Sequence, residues 1–474
     1  MISHGARPRP KASTHGASTH AASTHAAGGQ AESGRHRHRG EQRSAYREAF
    51  PYHAVFAVRE FGGLWSAQVL SSAGEQFAQI AVAVGTYERT RSPFLTALVY
   101  AMSYLPQIIG GPLLAEVAGL FSRRSLLVGL GVSRAALVAI MALSGMPFAG
   151  RCALLVTTVM LGAAFWDARS AMLPDVLPAG QLAAGTEISS ISGRAGQVLG
   201  FLAGGAVVAT LGPHAALIIG ATAILAAAGI AQGLITRRPV PQRRPGGRPL
   251  ALPVTRREAA AVVGQPAPRT LLLLGWLSSC AVVPEALAAP YARVLHGGAH
   301  AVGLLLAAVP AGAVTGAIAF AFLTRPSARP RMISWLAVLS CAPLVGCSLH
   351  PPLWAVLALW VLAGAGSAYQ LAAVTAFVRA SPAGDRPSAV ELARAGLLAA
   401  QGAGLLMAGL AAQLIGPQAA ISVTGFFGLA AAATLARAWR RLHDQLHPPR
   451  RFRTLAPSPA NRGGGTGPGA GRPA

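Results

Sequence analysis

The chain has 474 residues, 53% apolar and 12% charged, with a formal net charge of +25 and a mean hydropathy of +0.47. A soluble globular domain carries about 25% charged residues, so this composition excludes an ordinary cytosolic enzyme, a disordered protein and a soluble nucleic-acid binder. A single-span receptor is excluded as well, because apolar sequence recurs from about residue 61 to about residue 437.

Residues 1–58 open the chain as a polar tail. Ala-Ser-Thr-His recurs at 12–15, 17–20 and 22–25, and a basic run spans Arg35 to Arg39. Such low-complexity sequence cannot bury a core and reads as disordered. No cleavable signal peptide is expected in it, since the first 50 residues are polar.

A spanning helix needs about 20 mostly apolar residues. Twelve candidates follow in order: 61–86, 94–118, 125–146, 152–171, 187–210, 214–235, 270–291, 301–323, 333–350, 353–377, 391–414 and 418–437. Gly and Pro interrupt many of them, which membrane helices tolerate better than soluble ones. A Pro- and Arg-rich linker, 236–269, separates the sixth from the seventh. Residues 438–474 close the chain as a basic, Gly-ending disordered tail. The expected fold is therefore all-α: a polytopic membrane protein of twelve transmembrane helices in two six-helix halves, 59–235 and 270–437. That is the plan of parallel-repeat secondary transporters.

Twelve spans put both termini on one side. Loops on that side carry seventeen arginines: Arg123, Arg124, Arg169, eight in 237–269, three in 325–331, and Arg379, Arg386 and Arg394. The other side carries four: Arg89, Arg91, Arg151 and Arg293. The positive-inside rule places both termini in the cytoplasm of a plasma-membrane protein. Arg89 and Arg91, in the first external loop, run against the rule. Arginine abundance alone carries no functional signal, because 39 arginines stand against the single lysine Lys11, the usage of a GC-rich genome. Next to a membrane the basic tails and linker meet anionic lipid rather than nucleic acid.

Cys152, Cys280, Cys341 and Cys347 lie widely spaced in apolar stretches and read as packing residues, with neither a disulfide framework nor a metal site. No histidine falls at mid-membrane: His214, His296, His300 and His350 lie in predicted external loops, which argues against a histidine proton relay. The His-rich N-terminal tail reads as solvated sequence rather than a metal site. No cofactor is implied.

Residues 59–145 carry a resemblance. They read Arg-Glu-Phe-Gly-Gly-Leu-Trp-Ser-Ala-Gln at 59–68, Gly-Glu-Gln-Phe at 74–77 and Tyr-Glu-Arg-Thr-Arg-Ser-Pro at 87–93. Leu105-Pro106-Gln107, Gly111-Pro112-Leu113, Arg123-Arg124 and Arg134 follow. Arg169, then Ala171 through Asp175, and Leu182-Ala183-Ala184 continue it. The chain resembles the major facilitator superfamily, and within it the branch of macrolide-efflux and enterobactin-exporter-like proteins. The likeness is dense in the first half and general in the second.

Two motifs of that superfamily can be laid on this chain. In the loop between helices two and three, Gly111 and the basic pair Arg123-Arg124 match. The Asp-Arg positions hold Gly119 and Leu120 instead, so the acid that helps latch the two halves in the family is missing. Glu116 lies three residues earlier, where it either substitutes for that acid or snorkels at the end of helix two. On helix five, Gly196, Gly200, Gly204 and Gly205 match the superfamily's exporter motif, with Phe201 in place of its proline. Small residues at that spacing let another helix approach closely, and a chain with 55 Gly makes such spacings often. The position on helix five favours the exporter reading.

An ionisable side chain inside a bilayer costs several kcal/mol unless paired or hydrated, so each is a functional candidate. On helix one, Gln68, Ser72, Glu75 and Gln79 are spaced 4, 3 and 4 and share one face. Such a stripe either lines a water-filled cavity or hydrogen-bonds between helices. Arg134 in helix three and Arg194 in helix five cannot be neutralised, and Glu75 could pair with either. Glu187, seven residues before Arg194, is a further candidate partner. Glu285 in helix seven either binds a cation or proton or faces the external vestibule. Gln370 and Gln401 are weaker cavity candidates. Asp167, Arg169 and Asp175 at the end of helix four are expected to organise a loop.

The reading is a secondary active transporter: proton-coupled efflux of a hydrophobic or amphipathic small molecule by alternating access, with the protein working as a monomer. Alternatives are a dedicated metabolite or siderophore exporter, an importer, a polytopic membrane enzyme, and a transport-dead regulatory homologue. Scattered acids argue against the enzyme, and the lack of a Gly-x-x-x-x-Gly-Lys-Ser/Thr loop argues against ATP-driven transport.

Overall fold

A computed structural model describes residues 55–110, 120–143, 145–238, 255–324, 328–381 and 386–446. The chain divides into two units, Met1–Val58 and Arg59–Ala474. The second holds the fold and is the one described here.

Among the described residues the structure is helical, without strands. The elements are α1 (Arg59–Thr90), α2 (Pro93–Ala101), α3 (Arg123–Met141), α4 (Phe148–Val176) and α5 (Leu182–Leu234). They continue as α6 (Arg256–Val263), α7 (Pro266–Leu277), α8 (Val283–Ala286), α9 (Ala288–Val294) and α10 (Ala299–Leu323). The last are α11 (Arg329–Val345), α12 (Leu353–Gly366), α13 (Tyr369–Ala380), α14 (Arg386–Ile415) and α15 (Pro417–Leu446). Among the described residues ten stretches are long and apolar enough to cross a membrane, which makes the chain a multi-pass membrane protein. α1 is not among the ten although it has 32 residues, about 48 Å of helix at 1.5 Å per residue. Its polar stripe lowers its hydropathy. One of the ten, Ala184–Leu234, holds two of the predicted spans.

Local chemistry sets the ends. Ser92 caps α2, its hydroxyl accepting from the Leu95 N–H, and Pro93 begins the helix where no N–H is needed. Ser122 caps α3 in the same way. α5 folds back on itself at Gly212, where φ is +83°, with Pro213 starting the return arm. Gly416 at φ +86° with Pro417 makes the turn from α14 to α15 by the same device. The left-handed backbone favours Gly, and Pro is preset for a first helical turn.

Three predicted spans are interrupted among the described residues, the second by a turn over Met102–Tyr104 that follows α2. The seventh is α7, a 3-10 turn over Ser278–Ala281, then α8 and α9. The tenth is α12 and α13, divided at Ser367–Ala368.

The face on which α1 begins is called the near side here and the opposite face the far side. α5 lies against α1 through its glycines. A Cβ at Gly200 would lie 2.9 Å from the Gln76 Cβ, and one at Gly204 would lie 3.0 Å from Ile80. At Gly205 the partner is α10, where a Cβ would lie 2.6 Å from the Gly303 Cα. Gly196 is looser, 3.9 Å from Val69. These glycines therefore let backbones approach. Phe201, at the motif's proline position, is fully buried. Contacts between the first six and last six spans gather toward the far side. There α2 meets α14 at Ala97 and Gly409, and Ser92 Oγ donates to Gln413 Oε1 at 3.0 Å.

Candidate functional site

The site grows from the middle of α3. Arg134 is 1% exposed there, beyond the reach of bulk water. Its guanidinium donates to Glu75 Oε1 of α1, forming an ion pair, and to Ser71 Oγ at 3.3 Å. Ser71 Oγ in turn donates to Glu75 Oε1 at 3.3 Å. The guanidinium carbon stands 5.3 Å from the centroid of the Phe165 ring of α4, a cation–π distance. Gly162, one turn from Phe165, packs against the guanidinium at ordinary contact distance: a Cβ there would lie 3.6 Å from Arg134 Nε. Of the two partners offered by the sequence for Glu75, the fold selects Arg134.

The pair forms one wall of a cavity of about 210 Å³ lined by residues between Glu75 and Ile224. Gln79, Tyr104, Gln107, Trp166 and Gln197 line other walls. Glu75 commits Oε1 to the pair, and its side chain is 27% exposed. An acid is thus presented to the cavity while its cation is held behind it.

The polar stripe of α1 divides between its two readings. Gln68 is buried and its Nε2 donates to the Ser189 carbonyl of α5 at 2.9 Å, an interhelical bond. Ser72 is buried. Glu75 and Gln79 line the cavity. Ser71 and Gln76 were missed by the spacing argument because they sit one residue to either side of the stripe. Phe165 and Trp166 carried no polar signal to find them by.

Arg194 and Glu187 are exposed, and no ion pair joins them or reaches Glu75. Arg194 lies seven residues before Phe201, so it shares the face of α5 that meets α10 farther along. Glu285 is 5% exposed in α8, and among the described residues no cation pairs with it. Tyr100 of α2 and Tyr104 in the turn that follows it stand within its electrostatic reach, and the Tyr100 hydroxyl is buried without a partner. Gln370 and Gln401 are half-buried and do not line the cavity.

On the near side, Arg123 pairs with Asp175 and donates to the Ala171 carbonyl, tying α3 to α4. Arg124 donates to the Gln232 carbonyl of α5. Gly111, Glu116 and Gly119 lie outside the described residues. Asp167 corrects an expectation. Instead of ordering its own loop it reaches α14, with Oδ1 3.5 Å from Arg394 Nη2. Arg169 turns inward and donates to Ser189 Oγ at 3.1 Å. Two residues apart on a helix, the two side chains leave in different directions. No group of three or more metal-ligating side chains exists among the described residues.

Residues 64–284 and 271–464 match the model of the family described as Major Facilitator Superfamily. Solved structures with the same fold include a bacterial homologue of the human lysosomal transporter Spinster, inward-facing and unoccupied. Its TM-score is 0.65 at 17% identity, covering 84% of this chain and 99% of that one. The nucleoside transporter NupG gives 0.64 at 10% identity, covering 80% and 99%. A peptide transporter POT in complex with alafosfalin gives 0.64 at 13% identity, covering 83% and 99%. No curated protein matches the chain.

Proposed function

The chain belongs to the Major Facilitator Superfamily and is a transporter rather than an enzyme, and from that premise we propose that it exports a hydrophobic or amphipathic small molecule, driven by proton entry. On this reading it is a plasma-membrane exporter of the macrolide-efflux and enterobactin-exporter-like branch and works as a monomer. The near side, with its arginines, faces the cytoplasm and its anionic lipid. The first six spans, 59–235, rock against the last six, 270–437, and the far-side contacts are those that part when the cavity opens outward.

The observation that carries this reading is the Glu75–Arg134 pair at the cavity wall. Arg134 cannot lose its charge. A proton on Glu75 removes the counter-charge, and an uncompensated buried charge costs about 3–5 kcal/mol. Protonation and cavity state are thereby linked, because each state is favoured in proportion to how well it accommodates the freed guanidinium. Trp166, Tyr104 and Met141 supply the apolar contact area for the cargo, and Gln79, Gln107 and Gln197 its polar contacts. A second protonatable group, Glu285, sits where α8 meets the far-side half of α2.

The test is efflux of amphipathic dyes from cells overexpressing the chain, followed as external pH is varied. Wild type lowers dye accumulation more strongly as external pH falls, and Glu75→Gln abolishes that dependence. A Glu75→Gln variant that transports with undiminished pH dependence refutes the role of Glu75. Vesicles of known orientation decide direction.

A further inference from the structure

Spacing makes the four cysteines widely separated packing residues; all four are free, and the fold brings two of them together. Cys280 lies in the 3-10 turn Ser278–Ala281 that interrupts the seventh span, and Cys341 lies in α11. Both sulfurs crowd Gly428 of α15. A Cβ there would lie 2.9 Å from Cys341 Sγ and 3.0 Å from Cys280 Sγ. Both thiols are free. Cys341 is fully buried with Ser340 Oγ 3.6 Å from its sulfur, whereas Cys280 is partly exposed. A glycine at 428 is what leaves room for two sulfurs at one point.

The place of the pair gives it a consequence. Pro284 stands four residues after Cys280, so the Cys280 carbonyl has no N–H at position 284 to accept from. The bonds here are of the i to i−3 kind, from the Val282 N–H to the Ser279 carbonyl at 3.1 Å and from the Glu285 N–H to the Val282 carbonyl at 3.0 Å, so the segment departs from regular α-helix.

We propose that Cys280 and Cys341 form a peroxide-oxidisable dithiol whose disulfide fastens the break in the seventh span to α11. Hydrogen peroxide reaches Cys280, the more exposed residue of the two, and oxidises its thiol to a sulfenic acid with release of one water. The Cys341 sulfur then attacks the sulfenic sulfur, forms the S–S bond and releases the second water. The two thiols give up two electrons and two protons, and the peroxide takes both. A dithiol reductant reverses the reaction by exchange.

The experiment uses the full chain, purified in detergent and treated with hydrogen peroxide. Remaining thiols are blocked, and the digest is read by mass spectrometry. The expected product is a peptide pair joined at 280 and 341, lighter by two hydrogens and restored by dithiothreitol. Hydrogen exchange over residues 278–287 is expected to slow by about tenfold or more in the oxidised protein. Cys280→Ser and Cys341→Ser each abolish both effects, and either variant suffices should the other fold poorly. Cys152→Ser and Cys347→Ser leave them intact. Free thiols at 280 and 341 after peroxide, or pairing with another cysteine, overturn the proposal. A cross-link that leaves exchange over 278–287 unchanged overturns the fastening.

Discussion

α1 and the seventh span carry their acids at similar depth, Glu75 and Glu285, and are otherwise built in opposite ways. α1 runs unbroken for 32 residues, and its acid meets Arg134. The seventh span is broken at Ser278–Ala281 and again at Leu287, with Pro284 and Pro290 within it. Its acid is buried deeper, and no described cation answers it. Pro removes an N–H and clashes with the carbonyl four residues back, so the helix around Glu285 cannot be regular. The contrast teaches where fixed structure and movable structure lie. A continuous helix can hold an ion pair as part of its packing, whereas an interrupted one holds an acid whose environment changes when its pieces shift.

The largest effect is expected from breaking the paired side. Arg134→Met leaves Glu75 without its cation, in a wall that also loses the guanidinium over Phe165. The expected loss is about 3–5 kcal/mol, read as a lower midpoint of thermal unfolding in detergent. Arg134→Met with Glu75→Gln is expected to recover most of it, because no charge is then stranded. If the double variant is as unstable as the single one, the pair is not what holds this region.

Much of this was legible in the sequence, and the rest was not for identifiable reasons. The all-helical, multi-pass character and the positions of Glu75 and Glu285 within apolar stretches follow from hydropathy and spacing. Helix periodicity put Glu75 on the polar face but could not choose between Arg134 and Arg194, because that choice depends on which helices cross. The fold places Arg134 between Glu75 and the Phe165 ring, a juxtaposition of three helices that spacing along one helix does not carry. Interruption of the seventh span was signalled by its prolines. Interruption of the tenth had only Gly364 and Gly366 before it as a sign, and glycines also stand within unbroken helices of this chain. Asp167 reaching Arg394 across 227 residues of sequence belongs to tertiary structure alone.

The next effect comes from mending the broken side. Pro284→Ala returns an N–H four residues after Cys280 and removes the ring clash. Pro in a helix interior costs up to about 3 kcal/mol relative to Ala, so the variant is expected to be more stable by about 1–3 kcal/mol. Hydrogen exchange over 280–288 should slow with it, bringing the seventh span closer to α1. Faster exchange there would show that the break is imposed by packing and not by the proline. Glu285→Gln is expected to be smaller still, within about 1 kcal/mol of wild type, because it strands no buried cation. The same amide change at Glu75 strands Arg134 and costs more. Unfolding midpoints of the two variants measured side by side order the effects, and equal losses would erase the distinction between the two acids.

The smallest effect lies at the starts of the two spans. The first turn of α7 has no acid, whereas α1 begins with Glu60, whose carboxylate gathers the chain leaving α5. It accepts from the Thr236 N–H at 3.1 Å, from the Thr236 hydroxyl and from Arg238 at 2.6 Å. Partial burial pushes its carboxyl up, but the donors from Thr236 and Arg238 outweigh that and hold it below the ordinary carboxylate value. A group depressed in the folded state stabilises above its unfolded pKa, and that contribution fades as pH falls through the folded one. The clasp is therefore intact at neutral pH and opens in acid. The pair is partly solvated, so it contributes at most about 1 kcal/mol. Exchange of the Thr236 amide, corrected for its intrinsic rate, is expected to rise severalfold in acid. Glu60→Gln should show the raised rate already at neutral pH and little further change below it. A Thr236 amide that exchanges alike in both proteins at every pH would mean that Glu60 does not fasten α1 to the linker.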